Sequence, residues 1–292
     1  MAEGIIVKAL SGFYYVDTPE GIIECRARGK FRMDGTSPLV GDRVRCSVEP
    51  NGKGRIDSLY ERRNFFIRPA VANIDTLVFV AANTNPVTDP FLIDRVSVIA
   101  AEAECRLLLC INKTDIDTAE ELYDIFTRAG FDVIRTSAET GEGIESLREA
   151  LRGQVCAFTG NSGVGKSSVL NALLPGANIE TGAVSERLGR GKHTTRHVQL
   201  YELGNGTYIA DTPGFASLDV EMLCEISKEN IQHCFIEFAP YIGKCRFNDC
   251  AHLKEPGCAV RQAVDDGEIT ASRYRSYQRL YEIAAQRKSW EV

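Results

Sequence analysis

An α/β core with a small all-β barrel in front of it and a mostly helical, metal-binding segment behind it is the architecture this sequence predicts. Three observations carry the prediction. Up to residue 68 the chain is made of short β-rich runs broken by turn residues; from 69 onward apolar strands alternate with helical stretches; near the end three cysteines and one histidine fall within 14 positions. Short strands of the first kind close into a small barrel, the OB-fold being the common solution. Apolar strands interleaved with helices make a mostly parallel sheet covered on both faces. Closely spaced soft ligands hold a metal. The division expected is 1–68, 69–220 and 221–292.

At 292 residues the chain is near the size at which single cores split. No apolar run approaches the ~20 residues that cross a bilayer. The N-terminus carries Glu3, no basic start and no small-residue cleavage site, so a cytoplasmic protein without membrane contact is expected. Seven of the ten cysteines (Cys25, Cys46, Cys105, Cys110, Cys156, Cys224 and Cys234) read as buried thiols of a reducing compartment. The net charge of −6 is uneven: 12 Lys/Arg against 9 Asp/Glu in 1–68, 12 against 20 in 69–220, and 10 against 11 in 221–292. Only the front is basic, which makes it the candidate for nucleic acid.

Within 1–68 the β-rich runs begin at Gly4, Phe13, Gly21 and Asp42, separated by Ser11-Gly12, Pro19-Glu20-Gly21, Gly41-Asp42 and the glycine-rich 50–54. Arg26, Arg28, Lys30 and Arg32 alternate, and Lys53, Arg55, Arg62 and Arg63 follow. Two readings stand side by side: a groove that tracks a nucleic-acid backbone, and a barrel edge guarded by charge.

From 69 the expected elements are strand 76–82, helix 89–104, strand 106–111, helix 119–128, strand 132–135 and helix 143–151. The next strand, Val155 to Phe158, runs into Gly160-Asn161-Ser162-Gly163-Val164-Gly165-Lys166-Ser167, and a helix continues from Ser168 until Pro175-Gly176 ends it. This fits the phosphate-loop pattern G-x-x-x-x-G-K-[ST]. Small residues let backbone N–H groups wrap a polyphosphate, and the helix N-terminus adds partial positive charge. Lys166 reaches the β- and γ-phosphates and the Ser167 hydroxyl ligates Mg²⁺. Strands over 197–203 and 207–210 follow, joined by Gly204-Asn205-Gly206.

The strand ends carry the remaining chemistry, as they do in open α/β sheets. Asn112-Lys113-Thr114-Asp115 follows the strand ending at Ile111, and a carboxylate such as Asp115 accepts two hydrogen bonds from guanine that adenine cannot offer. Thr136-Ser137-Ala138 follows the next strand, with backbone N–H groups at Ser137 and Ala138 for a guanine O6. Asp211-Thr212-Pro213-Gly214 ends the last, placing Asp211 behind the Mg²⁺ and the Gly214 N–H before a γ-phosphate. The polar loop 179–196 contains Lys192-His193-Thr194-Thr195-Arg196, where a threonine hydroxyl closes the Mg²⁺ shell only when the γ-phosphate is present.

Behind them, Cys245-x4-Cys250-x-His252-x5-Cys258 suits tetrahedral Zn²⁺ with no open position, a structural site worth on the order of 10 kcal/mol to a segment too small for its own core. A helical stretch over 222–238 precedes it. The tail 269–287 is helical in pattern, with Tyr274, Tyr277 and Tyr281 to one side and Arg273, Arg275 and Arg279 nearby. The tyrosines either pack on the metal module or stack on RNA.

Together these stretches resemble the elements of a GTPase in rearranged order, since N-K-T-D and T-S-A precede the phosphate loop and D-T-P-G comes last. With the basic barrel and the Cys/His cluster, the whole chain is similar to the circularly permuted GTPases of bacterial ribosome biogenesis. The resemblance implies GTP and GDP as ligands, the 30S ribosomal subunit and 16S rRNA as partners, a monomeric state, and Thr195 as the switch threonine on Mg²⁺.

Two consequences follow from the residues themselves. Where many GTPases carry a water-orienting glutamine after D-x-x-G, this chain has Phe215, so slow intrinsic hydrolysis is expected and His193 is the internal candidate for the role. His193 as a plain solvent-exposed loop residue is the alternative. The permuted order also joins the 211–214 loop covalently to the metal-binding end. Other functions weighed are a GTP/GDP-sensing switch with incidental hydrolysis and a phosphate-loop ATPase on single-stranded nucleic acid, which Asn112 and Asp115 argue against.

Overall fold

The computed structural model describes residues 1–29, 31, 36–48, 53–67, 69–175, 198–211 (of Asp211 the backbone only) and 226–286. His193, Thr195, Gly214, Phe215, the Asp211 side chain, Lys30, Arg32 and Cys224 lie outside the described residues.

The barrel is built by β1 (Ala2–Leu10), β2 (Phe13–Thr18), β3 (Gly21–Ala27), β4 (Arg43–Val48) and β5 (Gly54–Leu59). Alternation decides what faces inward: along β4, Val44 and Cys46 are buried while Arg43 and Arg45 face out. β1 pairs with β2 through Ile5–Leu10 and with β4 through Ala2–Ile5, which closes the ring. Ile6, Val16, Cys25, Val44, Cys46 and Ile56 fill it, all at 0% exposure.

A two-stranded link, β6 (Phe65–Phe66) and β7 (Val71–Ala72), leads to the parallel sheet. Its strands are β8 (Thr76–Ala81), β9 (Arg106–Ile111), β10 (Asp132–Arg135), β11 (Val155–Thr159), β12 (Gln199–Gly204) and β13 (Thr207–Asp211). They lie in the order β10-β9-β8-β11-β13-β12, all parallel except β12, which pairs antiparallel to β13. β8 and β11 are buried along their whole length, as their unbroken apolar runs require. Helices α1 (Pro90–Glu102) and α2 (Glu120–Arg128) share one apolar cluster with the barrel core; α3 (Ile144–Ala150) and α4 (Lys166–Leu173) share another on the opposite face. The helix predicted over 89–104 starts one residue later because Asp89 is its N-cap, its carboxylate accepting from the Phe91 N–H at 2.9 Å.

The barrel is joined to the sheet by more than the β6–β7 link. β1 also pairs antiparallel with β12 at Lys8 and Gln199, so barrel and sheet form one eleven-stranded sheet. The Tyr208 hydroxyl on β13 donates to Asp17 Oδ2 on β2 at 2.8 Å.

At the rear, α5 (Lys228–Cys234), a 3-10 turn (Ile236–Phe238), α6 (Ala259–Asp265) and α7 (Ala271–Ala285) pack around Phe235, Phe238 and Tyr277, together with Val98 of α1. The single helix expected over 222–238 is interrupted, because Phe235 adopts an extended conformation (φ −95°, ψ 97°) that turns its ring into this core. Arg273, read from the sequence only as lying near the tail tyrosines, is fully buried. It forks onto Glu237 (2.6 and 3.0 Å), reaches Asp94 of α1 at 2.7 Å, and lies over the rings of Phe235 and Phe131.

Candidate functional site

The phosphate loop joins β11 to α4 and sits in the position its sequence predicts. Gly160 and Gly165 have φ of +132° and +94°, and a Cβ at Gly165 would lie 2.3 Å from the Asn112 side-chain nitrogen. Only glycine lets these loops approach so closely. The first amides of α4, at Lys166, Ser167 and Ser168, have no acceptor within the helix and face the loop that Asn161, Ser162 and Gly163 complete. Lys166 Nζ donates to the carbonyls of Gly160 (2.6 Å) and Asn161 (2.7 Å), and burial holds its pKa below the usual lysine value. Its charge therefore sits over the concave side of the loop, where a polyphosphate would meet it.

The N-K-T-D loop follows β9, two strands over from β11. Buried Asn112 donates from Nδ2 to Val164 O at 3.0 Å, while its Oδ1 accepts from the Ala138 N–H at 3.1 Å. One side chain thus ties the phosphate loop, the N-K-T-D loop and the T-S-A loop together. Asp115 is exposed beside them. The Ser137 N–H donates to Glu142 O at 2.9 Å, which orders the T-S-A turn. With the Ala138 N–H also bonded, the amides assigned by sequence to a guanine O6 already hold their own loop in shape.

A fourth loop belongs to this pocket and was missed by sequence reasoning. β8 lies between β9 and β11, so the Asn83-Thr84-Asn85-Pro86 turn at its end falls between the other two loops. Lys113 Nζ bridges Asn85 O (2.5 Å) and Gly163 O (2.8 Å). Asn83 Nδ2 donates to Asp117 at 3.0 Å and, with the Ala119 N–H, holds that carboxyl below the usual carboxylate range. The signal was present as an Asn/Pro turn directly after an apolar strand, but its relevance depends on strand order.

β13 delivers the backbone of Asp211 to the same end of the sheet, its register partner on β12 being Gln199.

The rear cluster does assemble. The ligand atoms of Cys245, Cys250, His252 and Cys258 lie within 4.8 Å of one another. His252 Nδ1 is 3.5 Å from Cys245 Sγ and 3.4 Å from Cys258 Sγ, and the two sulfurs are 3.9 Å apart. Zn–S and Zn–N bonds of about 2.3 and 2.0 Å in a tetrahedron require edges of about 3.8 and 3.5 Å, the spacing that Cys245, His252 and Cys258 show, with Cys250 close by. His252 Nε2 meets Gln232 Oε1 at 2.8 Å, which leaves Nδ1 for the metal. Burial lowers the His252 pKa, favouring the neutral, ligating imidazole, and pushes the Cys250 thiol up to about 12, a preference that a bound cation reverses. Tyr274 and Tyr277 donate to the carbonyls of His252 (2.8 Å) and Ala251 (2.7 Å), so these tyrosines support the cluster.

The basic groups of the barrel are partly consumed by the fold. Arg62 forks onto buried Asp42, with both bonds at 2.7 Å, and Arg63 pairs with Asp75 at 2.6 Å. Arg28 pairs with Asp57, while Arg26 lies over the Phe13 ring at 4.6 Å. A concavity lined by Phe13, Tyr14, Arg26, Arg28 and Phe31 remains on this face.

A nucleotide hydrolase of the phosphate-loop GTPase class is what this fold and pocket define, its strand-end loops arriving in a rearranged chain order. Comparison with known proteins narrows the class. The chain belongs to the RsgA GTPase family: the RsgA GTPase model matches residues 59–221 and the RsgA N-terminal domain model matches 3–56. It is 44% identical over 289 residues (98% of this chain, 99% of the relative) to the small ribosomal subunit biogenesis GTPase RsgA of Clostridium perfringens strain SM101. To the protein of that name from Bacillus cereus it is 42% identical, over 99% of both chains. The crystal structure of YjeQ from Thermotoga maritima superposes with a TM-score of 0.85 at 36% identity, covering 98% of this chain and 99% of that one. YloQ, described as a circularly permuted GTPase, gives 0.84 at 35% identity, covering 99% and 96%. The protein is a GTPase. Among the described residues no helix is long and apolar enough to cross a membrane.

Proposed function

We propose that this GTPase docks on the small (30S) ribosomal subunit, hydrolyses GTP when the subunit stimulates it, and assists late maturation of that subunit. The observation that carries the reading is the bond from Asn112 to Val164 O, which sets the guanine-reading loop against the phosphate loop. The names of the relatives supply the partner.

In this reading Asp115 accepts from the guanine edge, with Asn112, Lys113, Ser137 and Ala138 around the base. Residues Gly160 to Ser168 wrap the phosphates, and Lys166 exchanges its loop carbonyls for β- and γ-oxygens. Ser167 and Thr195 would hold Mg²⁺, which supplies positive charge where negative charge builds on the transferred group. Asp211 and Gly214 border the γ-phosphate, and His193 orients the attacking water in the place Phe215 leaves empty of polar groups. Cys245, Cys250, His252 and Cys258 hold one structural Zn²⁺. Residues 1–68 and 221–292 grip 16S rRNA on either side of the 69–220 core, and the protein acts as a cytoplasmic monomer.

Phe215 also favours a second reading, a GTP/GDP-dependent RNA-binding switch whose hydrolysis is incidental. Steady-state GTP turnover with purified 30S subunits, 50S subunits or neither separates the two. Turnover raised by 30S alone is expected; equal turnover in all three leaves only the switch.

A further inference from the structure

Beyond the β6–β7 link, the described strand pairing between barrel and sheet falls on one hairpin, β12–β13. In the sequence, β12 begins four residues after Thr195, and β13 ends on Asp211, where the D-T-P-G stretch starts. Both segments read as γ-phosphate loops therefore adjoin this hairpin in the chain. Its outer edge would be an open sheet edge, and β1 covers it by pairing Lys8 with Gln199. A bulge makes this possible: the β1–β2 register shifts between Ile6 and Lys8, so the first half of β1 closes the barrel while the second half turns toward β12. Val198, Leu200 and Ala210 of the hairpin share one apolar cluster with Ile6, Val7 and Val16 of the barrel. On the second strand, the Tyr208 hydroxyl donates to Asp17 Oδ2 at 2.8 Å. Burial and this carboxylate raise the Tyr208 pKa, so the phenol keeps its proton and its bond across the working pH range.

We propose that Tyr208 and Asp17 are positioning residues for the 30S stimulation of GTP hydrolysis and take no part in the intrinsic reaction, a latch through which a load on the barrel reaches the β12–β13 hairpin and the two γ-phosphate segments that adjoin it in the chain. The latch gives a ribosomal load on the barrel a route to the nucleotide that does not pass through the rear module. This rests on the reading of the 195 and 211–214 segments as γ-phosphate loops.

The test uses the full-length protein loaded with GDP or with a non-hydrolysable GTP analogue. Amide exchange is followed in β1 and in the phosphate loop, and GTP turnover is measured with and without 30S subunits. Wild type is expected to change exchange around Lys8 between the two nucleotides. Tyr208→Phe and Asp17→Ala are expected to abolish that change. Both should leave intrinsic turnover and 30S affinity within about twofold and lower the 30S-stimulated kcat by about tenfold, the loss matching one charge-assisted hydrogen bond. Asp17→Asn, which keeps an acceptor oxygen, should retain most of the stimulation. The proposal is overturned if wild-type β1 exchange is the same with both nucleotides, if the variants are stimulated like wild type, or if stimulation falls only in step with 30S affinity. A phosphate loop that neither nucleotide protects defeats the GTPase reading itself, and with it this one. A wild type that 30S does not stimulate defeats only the ribosomal reading, and the exchange measurement then decides the latch.

Discussion

The two ends of this molecule are attached to its nucleotide-binding sheet in opposite ways. In front, the barrel continues the sheet through backbone pairing at Lys8 and Gln199, one phenol–carboxylate bond and a shared apolar cluster. Behind, the Cys/His module is fastened to α1 and α2 by Arg273, wholly buried among Asp94, Glu237 and aromatic rings, and by Arg279 stacked on Phe91 at 3.8 Å. Sheet hydrogen bonds carry a displacement of one strand to its neighbour. A buried guanidinium resists displacement, because any gap leaves charges unpaired in a low-dielectric interior. The front is therefore built to transmit and the rear to hold. The chain runs from Asp211 to the same rear end, and movement of that end is opposed from α1 by the Arg273 anchor.

A held rear and a transmitting front differ in what their loss should cost, and the rear should cost most. Stripping the metal with a strong chelator should remove on the order of 10 kcal/mol of support from the rear. Circular dichroism should then show loss of helix while the strand signal of barrel and sheet persists; concerted loss of both would mean the rear is not a separate anchor. Arg273→Ala, which strands Asp94 and Glu237, should lower unfolding free energy by about 3–5 kcal/mol in urea titrations. A loss under about 1 kcal/mol would assign the junction to apolar packing of Phe235 and Tyr277 instead. In front, Asp42→Asn breaks the Arg62 fork and should lower unfolding free energy by about 2 kcal/mol. The same variant should leave metal affinity unchanged in a competition assay. Tyr208→Phe is expected to cost only about 1 kcal/mol of stability in urea titrations, the least of the set, since a single hydrogen bond is removed.

Much of the pocket was legible in the chain because its chemistry needs residues close together in sequence. The phosphate loop announces itself by glycines at fixed spacing before a lysine, and Asn112 by its place just after the apolar strand ending at Ile111. Cys245, Cys250, His252 and Cys258 were readable for the same reason, a chelate built from one short segment. The Asn83–Pro86 turn was not, because nothing local says that β8 lies between β9 and β11. The pairings of Arg62 with Asp42 and of Arg273 with Asp94 were not legible either. An arginine in a polar stretch looks solvated until the carboxylate it pairs with is brought beside it from far along the chain.

The strand and helix rhythm, the phosphate-loop pattern, the N-K-T-D loop after β9 and the Cys/His cluster could all be read from the chain, each specified by short-range spacing and residue chemistry. Tertiary structure alone decided how the parts are joined. Arg273 meets Asp94 across 179 positions and Tyr208 meets Asp17 across 191. Such pairs leave no periodicity or spacing to read, because they are selected by the packing of whole layers and not by the residues next to them in the chain.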